Sequence, residues 1–250
     1  MRRFGLIGYP LGHSFSKAYF SEKFQRENIA DCSYENFALE SIDKLNELLD
    51  AYNDLCGFNV TIPYKSEIIK YLRYVDPDAS EIGAVNVVKI KVIRGEKALY
   101  GFNSDIKGIY DTLAPFLPLE GDALILGTGG SSKAVTWVLR NAGIKVTAVS
   151  RSLRTEEVIL YEDITPEIMS ETSLIINTTP LGMFPQVDAK PPMRYDLISS
   201  RHILFDLVYN PEKTAFLKEG ISRGCETVGG LKMLYSQAER AWEIWNDEKF

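Results

Sequence analysis

The stretch Asp122–Ser152, DALILGTGGSSKAVTWVLRNAGIKVTAVSRS, decides the fold. Ala123 to Leu126 is a short apolar run, suited to a strand buried on both faces of a sheet. A glycine turn follows at Gly127, Thr128, Gly129 and Gly130, and then a helical segment and a second apolar strand. The order strand, turn, helix, strand fits one βαβ unit. Glycines let the backbone turn tightly and come close to a pyrophosphate. The helix that follows offers unpaired N–H groups and the positive end of its dipole. The common G-x-G-x-x-G spacing would put a third glycine at Ser132, and that glycine is absent. The context, more than the glycine count, points to dinucleotide binding.

The tip of the second strand bears on which dinucleotide. NAD sites usually carry a carboxylate there for the ribose 2′-OH. This chain has Ser150, Arg151 and Ser152, with Arg154 close by. A guanidinium fork can take a 2′-phosphate, which favours NADP over NAD. The alternative is a solvated turn in which Glu156 and Glu157 pair with Arg151 and Arg154.

Outward from this unit, the 250 residues are 45% hydrophobic and 25% charged, enough for one large core or two smaller ones and too apolar for disorder. The net charge of −6 argues against nucleic-acid binding by bulk electrostatics. The three cysteines, Cys32, Cys56 and Cys225, are widely spaced and suggest reduced, packed thiols. Two histidines exclude a histidine-rich metal site. The apolar run near the start is short and broken by glycine and proline, so neither a signal peptide nor a membrane span is expected, and a cytoplasmic location is.

The first hundred residues alternate strand and helix. Strands are expected at Phe4–Ile7, in CSYENFALE and in CGFNVTIPYK. Helices are expected in SFSKAYFSEKFQRENI, with Ser14 and Ser16 as candidate caps and Ala18, Phe20, Phe24 and Ile29 inward, and in SIDKLNELLDAYND. YKSEIIKYLRYV reads as a polar helix stopped at Asp76-Pro77, and GAVNVVKIKVIRGEKALYGFN as a hairpin around RGEK. This half predicts a mixed sheet. In the second half, SLIINTTPLGM and HILFDLVYNP read as apolar strands, and TAFLKEGISRG and LKMLYSQAERAWEIW as helices. The last helix is expected to pack back on the first half, because Trp242, Ile244 and Trp245 need cover.

Pro63 cannot donate to a sheet ladder, and Lys65 follows just where the strand CGFNVTI stops. GAVN places Asn86 at a strand start, and GFNSD ends a strand at Asp105. In open α/β sheets, ligands bind at such carboxyl ends. The plain alternatives are a solvated Lys65 and a helix-capping Asp105.

Eight ordered blocks, GYPLGHSFS, NVTIPYK, GAVN, GFNSD, GTGGSS, NTTPLGM, DLVYNP and GGLKMLYSQA, together resemble the shikimate dehydrogenase family. The resemblance implies an α/β protein of two domains, a mixed-sheet substrate domain (1–105 plus 231–250) and a Rossmann-like NADP-binding domain (106–230). It implies reversible hydride transfer between NADPH and the ketone of 3-dehydroshikimate. By motif, Ser14 and Ser16, with Tyr209, correspond to the substrate carboxylate site. Asn59, Thr61, Asn86, Asp105 and Gln237 correspond to the hydroxyl contacts, and Lys65 and Asp105 to the catalytic pair. Gly127, Thr128, Gly129, Gly130 and Ser131 correspond to the pyrophosphate turn, and Ser150, Arg151 and Arg154 to the 2′-phosphate site. Thr178, Leu207, Gly230 and Met233 correspond to the nicotinamide surroundings. Such an enzyme takes a small-molecule substrate, needs neither nucleic acid nor membrane, and fits a monomer or a homodimer.

This sequence departs from the family in places. Ser104 stands where threonine is usual, Ile106 follows the aspartate where glycine is common, and Arg154 comes one residue early. Only six residues lie between Arg151 and Val158. A parallel crossover needs about a dozen, usually with a helix. The helix is therefore expected to be missing or reduced to a turn, with EVILYED near an uncovered sheet edge. The rivals are a quinate/shikimate dehydrogenase that accepts NAD, a related dehydrogenase for another cyclic hydroxy acid, and a non-catalytic NADP-binding module.

Overall fold

The computed structural model describes residues 1–11 and 15–249. The chain divides into two compact units: Met1–Ser104 with the segment from Ala238 onward, and Asp105–Gln237.

The first unit contains β1 (Arg2–Gly8), α1 (Phe15–Arg26), β2 (Cys32–Ala38), α2 (Leu45–Ala51), β3 (Leu55–Val60), β4 (Tyr74–Val75), α3 (Pro77–Ile82), β5 (Val87–Ile93) and β6 (Glu96–Phe102). Its sheet has the order β2-β1-β3-β5-β6-β4. β1 pairs in parallel with β2 and β3, whereas β3–β5 and β5–β6 are antiparallel, so the sheet is mixed as expected. β5 and β6 form the expected hairpin, turning at Arg94 and Gly95 with φ of 54° and 88°.

α1 buries Tyr19, Phe20, Lys23 and Phe24. Phe20 and Phe24 follow the expected stripe, but Ala18 faces solvent and Lys23 turns inward. Lys23 is neutralised there, with Nζ 2.7 Å from Glu239 and 2.9 Å from Glu27. Ala238, Ala241, Ile244 and Trp245 of the last helix complete a core with Phe4, Phe20 and Tyr34. The expected cover for that helix is therefore found.

The expected helix YKSEIIKYLRYV does not form. Residues Glu67–Tyr71 make a single 3-10 stretch, and Tyr74–Val75 join the sheet edge beside β6. Arg73 N–H donates to Leu99 O and Asp76 N–H to Gly101 O. These sheet bonds replace the intrahelical ones of the expected polar helix.

The second unit contains α4 (Asp105–Leu113), β7 (Asp122–Leu126), α5 (Gly130–Asn141), β8 (Val146–Ser150), β9 (Val158–Leu160), α6 (Pro166–Glu171), β10 (Thr172–Asn177), β11 (Ile203–Asp206), α7 (Ala215–Ile221), β12 (Glu226–Val228) and the start of α8 (Leu231–Asn246). All its strands are parallel, in the order β12-β11-β10-β7-β8-β9. Ala123 to Leu126 are at most 1% exposed, which is why β7 lacks polar alternation.

The crossover from β8 to β9 contains no helix. It runs as an exposed turn, and β9 forms the sheet edge, paired through Ala148↔Val158. The fold is thus the expected one, a mixed-sheet unit and a Rossmann-like unit with a shortened crossover.

Candidate active site

Gly127 follows β7 with a φ of +115° that suits only glycine, and a Cβ there would stand 2.6 Å from Thr178 Oγ1. Thr178 is pinned in turn, since both its N–H and its Oγ1 donate to Leu126 O, at 2.9 and 2.8 Å. Gly129 precedes α5 in extended backbone, and a Cβ built on it meets nothing within 4 Å. The twelve-residue α5 then presents the positive end of its helix dipole. Thr128 and Gly129 are exposed, and Ser131 is half-buried in the first turn of α5. An open glycine backbone at a helix start fits a pyrophosphate.

Ser132 explains the missing third glycine. Its buried hydroxyl donates to Gly127 O at 2.7 Å and so fastens the turn from inside. The sequence marked Ser132 only as a departure, and the partner five residues back gives it its purpose.

At the tip of β8, Ser150 Oγ accepts from the N–H groups of Ser152 and Leu153 at 3.3 and 3.1 Å. Arg151 projects from this turn and is exposed. Arg154 instead grips Asp163, with Nη2 at 2.6 and 2.7 Å from its two oxygens. The alternative pairing of Arg154 with Glu156 or Glu157 is not the one found: Glu157 meets Arg140 at 3.1 Å, and Arg154 turns to Asp163.

Leu207 N–H donates to Asn177 O at 3.0 Å. A Cβ on Gly230 would stand only 2.2 Å from Leu207 O, so no side chain fits at that position. Met233 is buried in the first turn of α8, and its carbonyl would be 2.6 Å from a Cβ on Gly108 of α4. Gly127 with Thr178, and Leu207 with Gly230, thus form two close pairs at the carboxyl ends of neighbouring strands.

In the first unit, polar groups gather where the strands stop. Asn59, near the end of β3, accepts from Tyr34 Oη at 2.8 Å and donates to Asn86 O at 3.2 Å. Asn86 Nδ2 donates to Ser104 Oγ at 3.1 Å, and Ser104 N–H to Asn86 Oδ1 at 2.7 Å. Thr61 N–H donates to Ile7 O, and Val85 N–H to Lys65 O at 2.7 Å. Lys65 is half-buried, and its main chain is tied to the residue before Asn86. Ser16 lies in the first turn of α1, half-buried, and Ser14 lies outside the described residues. Tyr34 is the residue that sequence reasoning missed. Burial raises the pKa of its phenol, against a hydrogen bond with Ser16 that lowers it. Only its place in the alternating strand CSYENFA marked it, and nothing local named its partners.

In the second unit, Asp105 is 4% exposed and opens α4 as its first residue. Tyr209 is half-buried, which raises its phenol, and Gln237 is half-buried in α8. Among the described residues no group of three His, Cys, Asp or Glu could hold a metal. No cysteine is in a disulfide, and burial raises the thiols, Cys32 to about 11. No described helix is long and apolar enough to cross a membrane.

The family profile described as shikimate dehydrogenase substrate binding domain matches residues 6–88. A shikimate dehydrogenase (NADP(+)) of Methanococcus aeolicus is 36% identical, over 98% of this chain and 92% of its own. The chain belongs to the shikimate dehydrogenase family. Its structure agrees with those solved for the family. Shikimate dehydrogenase 1 of Peptoclostridium difficile superposes with a TM-score of 0.82 at 37% identity, covering 100% of this chain and 93% of that one. The Thermus thermophilus shikimate 5-dehydrogenase, solved in complex with NADP(H) and shikimate, gives 0.84 at 32% identity, with 98% and 94% covered.

Proposed function

We propose that this chain is an NADP-dependent shikimate dehydrogenase that interconverts 3-dehydroshikimate and shikimate. Family membership over nearly the whole chain is the observation that carries this reading. Residues 1–105 with 231–250 act as the substrate domain and 106–230 as the cofactor domain.

Gly127, Thr128, Gly129, Gly130 and Ser131 hold the pyrophosphate, and Ser150 and Arg151 hold the 2′-phosphate. Arg154 contributes mainly by bracing their turn, since its guanidinium is engaged by Asp163. Thr178, Leu207, Gly230 and Met233 surround the nicotinamide. When bound, NADPH supplies the hydride.

Ser14, Ser16 and Tyr209 take the substrate carboxylate, and Asn59, Thr61, Asn86, Asp105 and Gln237 take the hydroxyls. As the carbonyl becomes an alcohol, negative charge grows on its oxygen. The Lys65 ammonium stabilises that oxygen and donates the proton that completes the hydroxyl. In oxidation the proton leaves the hydroxyl toward neutral Lys65 or Asp105. The product serves the chorismate pathway of aromatic amino-acid biosynthesis. The enzyme works in the cytoplasm as a monomer or homodimer.

Absorbance at the NADPH band, with shikimate plus NADP and then shikimate plus NAD, tests both the activity and the cofactor. Turnover with NADP well above NAD is expected, because no carboxylate follows Val149. Lys65→Ala should cost roughly 10²–10⁴ in kcat with a smaller change in shikimate affinity. Near-normal turnover in that variant refutes the role of Lys65.

A further inference from the structure

Asn177 and Asp206 are register partners at the carboxyl ends of β10 and β11, and both are fully buried. Their side chains meet, with Asn177 Nδ2 donating to Asp206 Oδ1 at 2.9 Å. The same oxygen accepts from Val208 N–H at 3.0 Å, and Oδ2 accepts from the buried Thr214 hydroxyl at 2.6 Å. Asn177 Nδ2 also reaches Leu181 O, and Asn177 Oδ1 accepts from Thr179 N–H and Thr179 Oγ1 at 3.0 and 2.6 Å. One carboxylate and one carboxamide therefore fasten both chain segments that leave these strands, residues 178–181 and 207–214.

A buried carboxylate costs several kcal/mol to desolvate, and a structural role at two strand ends could be filled by apolar side chains at less cost. What the polar pair adds is direction. Asp206 Oδ1 fixes Val208 N–H, Oδ2 holds the Thr214 hydroxyl, and Asn177 fixes Thr179 N–H and Leu181 O, so the two segments cannot shift independently. Thr178 and Leu207 are the first residues of those segments.

We propose that Asp206, with Asn177 and Thr214, is a positioning residue that sets where Thr178 and Leu207 hold the nicotinamide ring. The inference rests on the dinucleotide reading given above. The pyrophosphate turn and the Ser150–Arg151 corner lie outside this network, so cofactor affinity and ring placement are separable.

Thr214→Val removes the hydroxyl donor at nearly constant volume. It also removes the cap that Thr214 Oγ1 gives Leu217 N–H. Asp206→Asn leaves that cap in place and turns the acceptor facing Thr214 into a donor. Thr214→Ser keeps both bonds and is the rescue. The variants are studied at 25 °C, with folding checked by circular dichroism. Calorimetry gives the NADPH Kd, and the fluorescence of the bound dihydronicotinamide reports the surroundings of the ring. Kinetics give kcat and its isotope effect with NADPH deuterated at the transferred position.

For Val and Asn, Kd should stay within about threefold of the parent chain, a change of under 1 kcal/mol. The bound-state fluorescence enhancement should drop. Turnover should fall on the order of 10- to 100-fold, with a larger isotope effect, because the ring is displaced from its reactive position. Ser should restore the parent values. Native fluorescence and isotope effect in folded Val and Asn variants overturn the proposal, and so does a collapse of NADPH affinity.

If the parent chain binds NADPH but does not turn over shikimate, the shikimate assignment fails, and the fluorescence comparison alone decides this inference. A parent chain that does not bind NADPH overturns both.

Discussion

Burial pushes the Asp206 carboxyl up to about 6, against hydrogen bonds from Thr214, Val208 and Asn177 that pull it down. The unfolded chain releases that proton in the ordinary carboxylate range. Between the two values the folded state binds more protons, so stability falls as pH rises through the window and levels off above about 6. The displacement is worth about 3 kcal/mol. Carboxyls such as Glu219, held low by Lys190 and Arg223, act in the opposite sense and lose stability as pH falls. The informative quantity is therefore the difference between the parent chain and Asp206→Asn. Urea unfolding from pH 4 to pH 7 should show the parent losing about 2 kcal/mol relative to the variant. Parallel curves contradict the assignment. Tyr34 gives a second test at this scale. Tyr34→Phe leaves the buried Asn59 Oδ1 without its donor, a loss of about 1–3 kcal/mol in stability. If Asn59 and Ser16 hold substrate, the KM for shikimate should rise more than kcat falls. An unchanged KM would separate Tyr34 from the substrate site.

Two elements show how local chemistry and pairing compete. The β5–β6 hairpin turns on Arg94 with φ of 54°, a region that asparagine tolerates and arginine does not favour. Arg94→Asn should stabilise the chain by several tenths of a kcal/mol up to about 1, read as a raised Tm with unchanged activity. The crossover after β8 is the other case. With no helix to stiffen it, Asp163 binds the Arg154 guanidinium and accepts from Leu160 N–H at 2.8 Å. Asp163→Ala should loosen this corner and raise the KM for NADPH about fivefold, roughly 1 kcal/mol, with shikimate KM unchanged. Equal changes in both constants would point to general damage. The short crossover was legible because six residues cannot hold a helix and its turns. The Asp163 staple was not, since it needs two carboxylate oxygens brought back across the turn. The glycine turn, the hairpin and the helix in SIDKLNELLDAYND were legible because their signals are local. The stretch after Lys65 was misread for the opposite reason. Edge bonds to Leu99 and Gly101, some 25 residues on, satisfy its backbone instead of a polar helix.

At the scale of the molecule, each compact unit owns a core. That of the second gathers Leu124, Val149, Ile175, Leu204 and Phe216. That of the first needs the chain's far end, because Trp245 stacks on Phe4 at 4.7 Å and its Nε1 donates to Val88 O at 3.1 Å. Gly57 makes room for that ring, since a Cβ there would stand 2.5 Å from Trp245 Nε1. Sequence alone showed that the last helix needed cover, but not that a glycine in β3 made a seat for it. Trp245→Ala should cost about 3–5 kcal/mol, the range for deleting a large buried aromatic, and the loss belongs to the first unit. Gly57→Ala should damage the same contact from the opposite side, so the double variant should lose less than the sum of the single ones. Because the glycine turn and its core lie wholly in the second unit, NADPH binding should persist at urea concentrations where shikimate binding has already gone. Calorimetric titration of each ligand into Trp245→Ala across a urea series checks this. Joint loss of both ligands at one midpoint would show that the two units unfold as a single cooperative body.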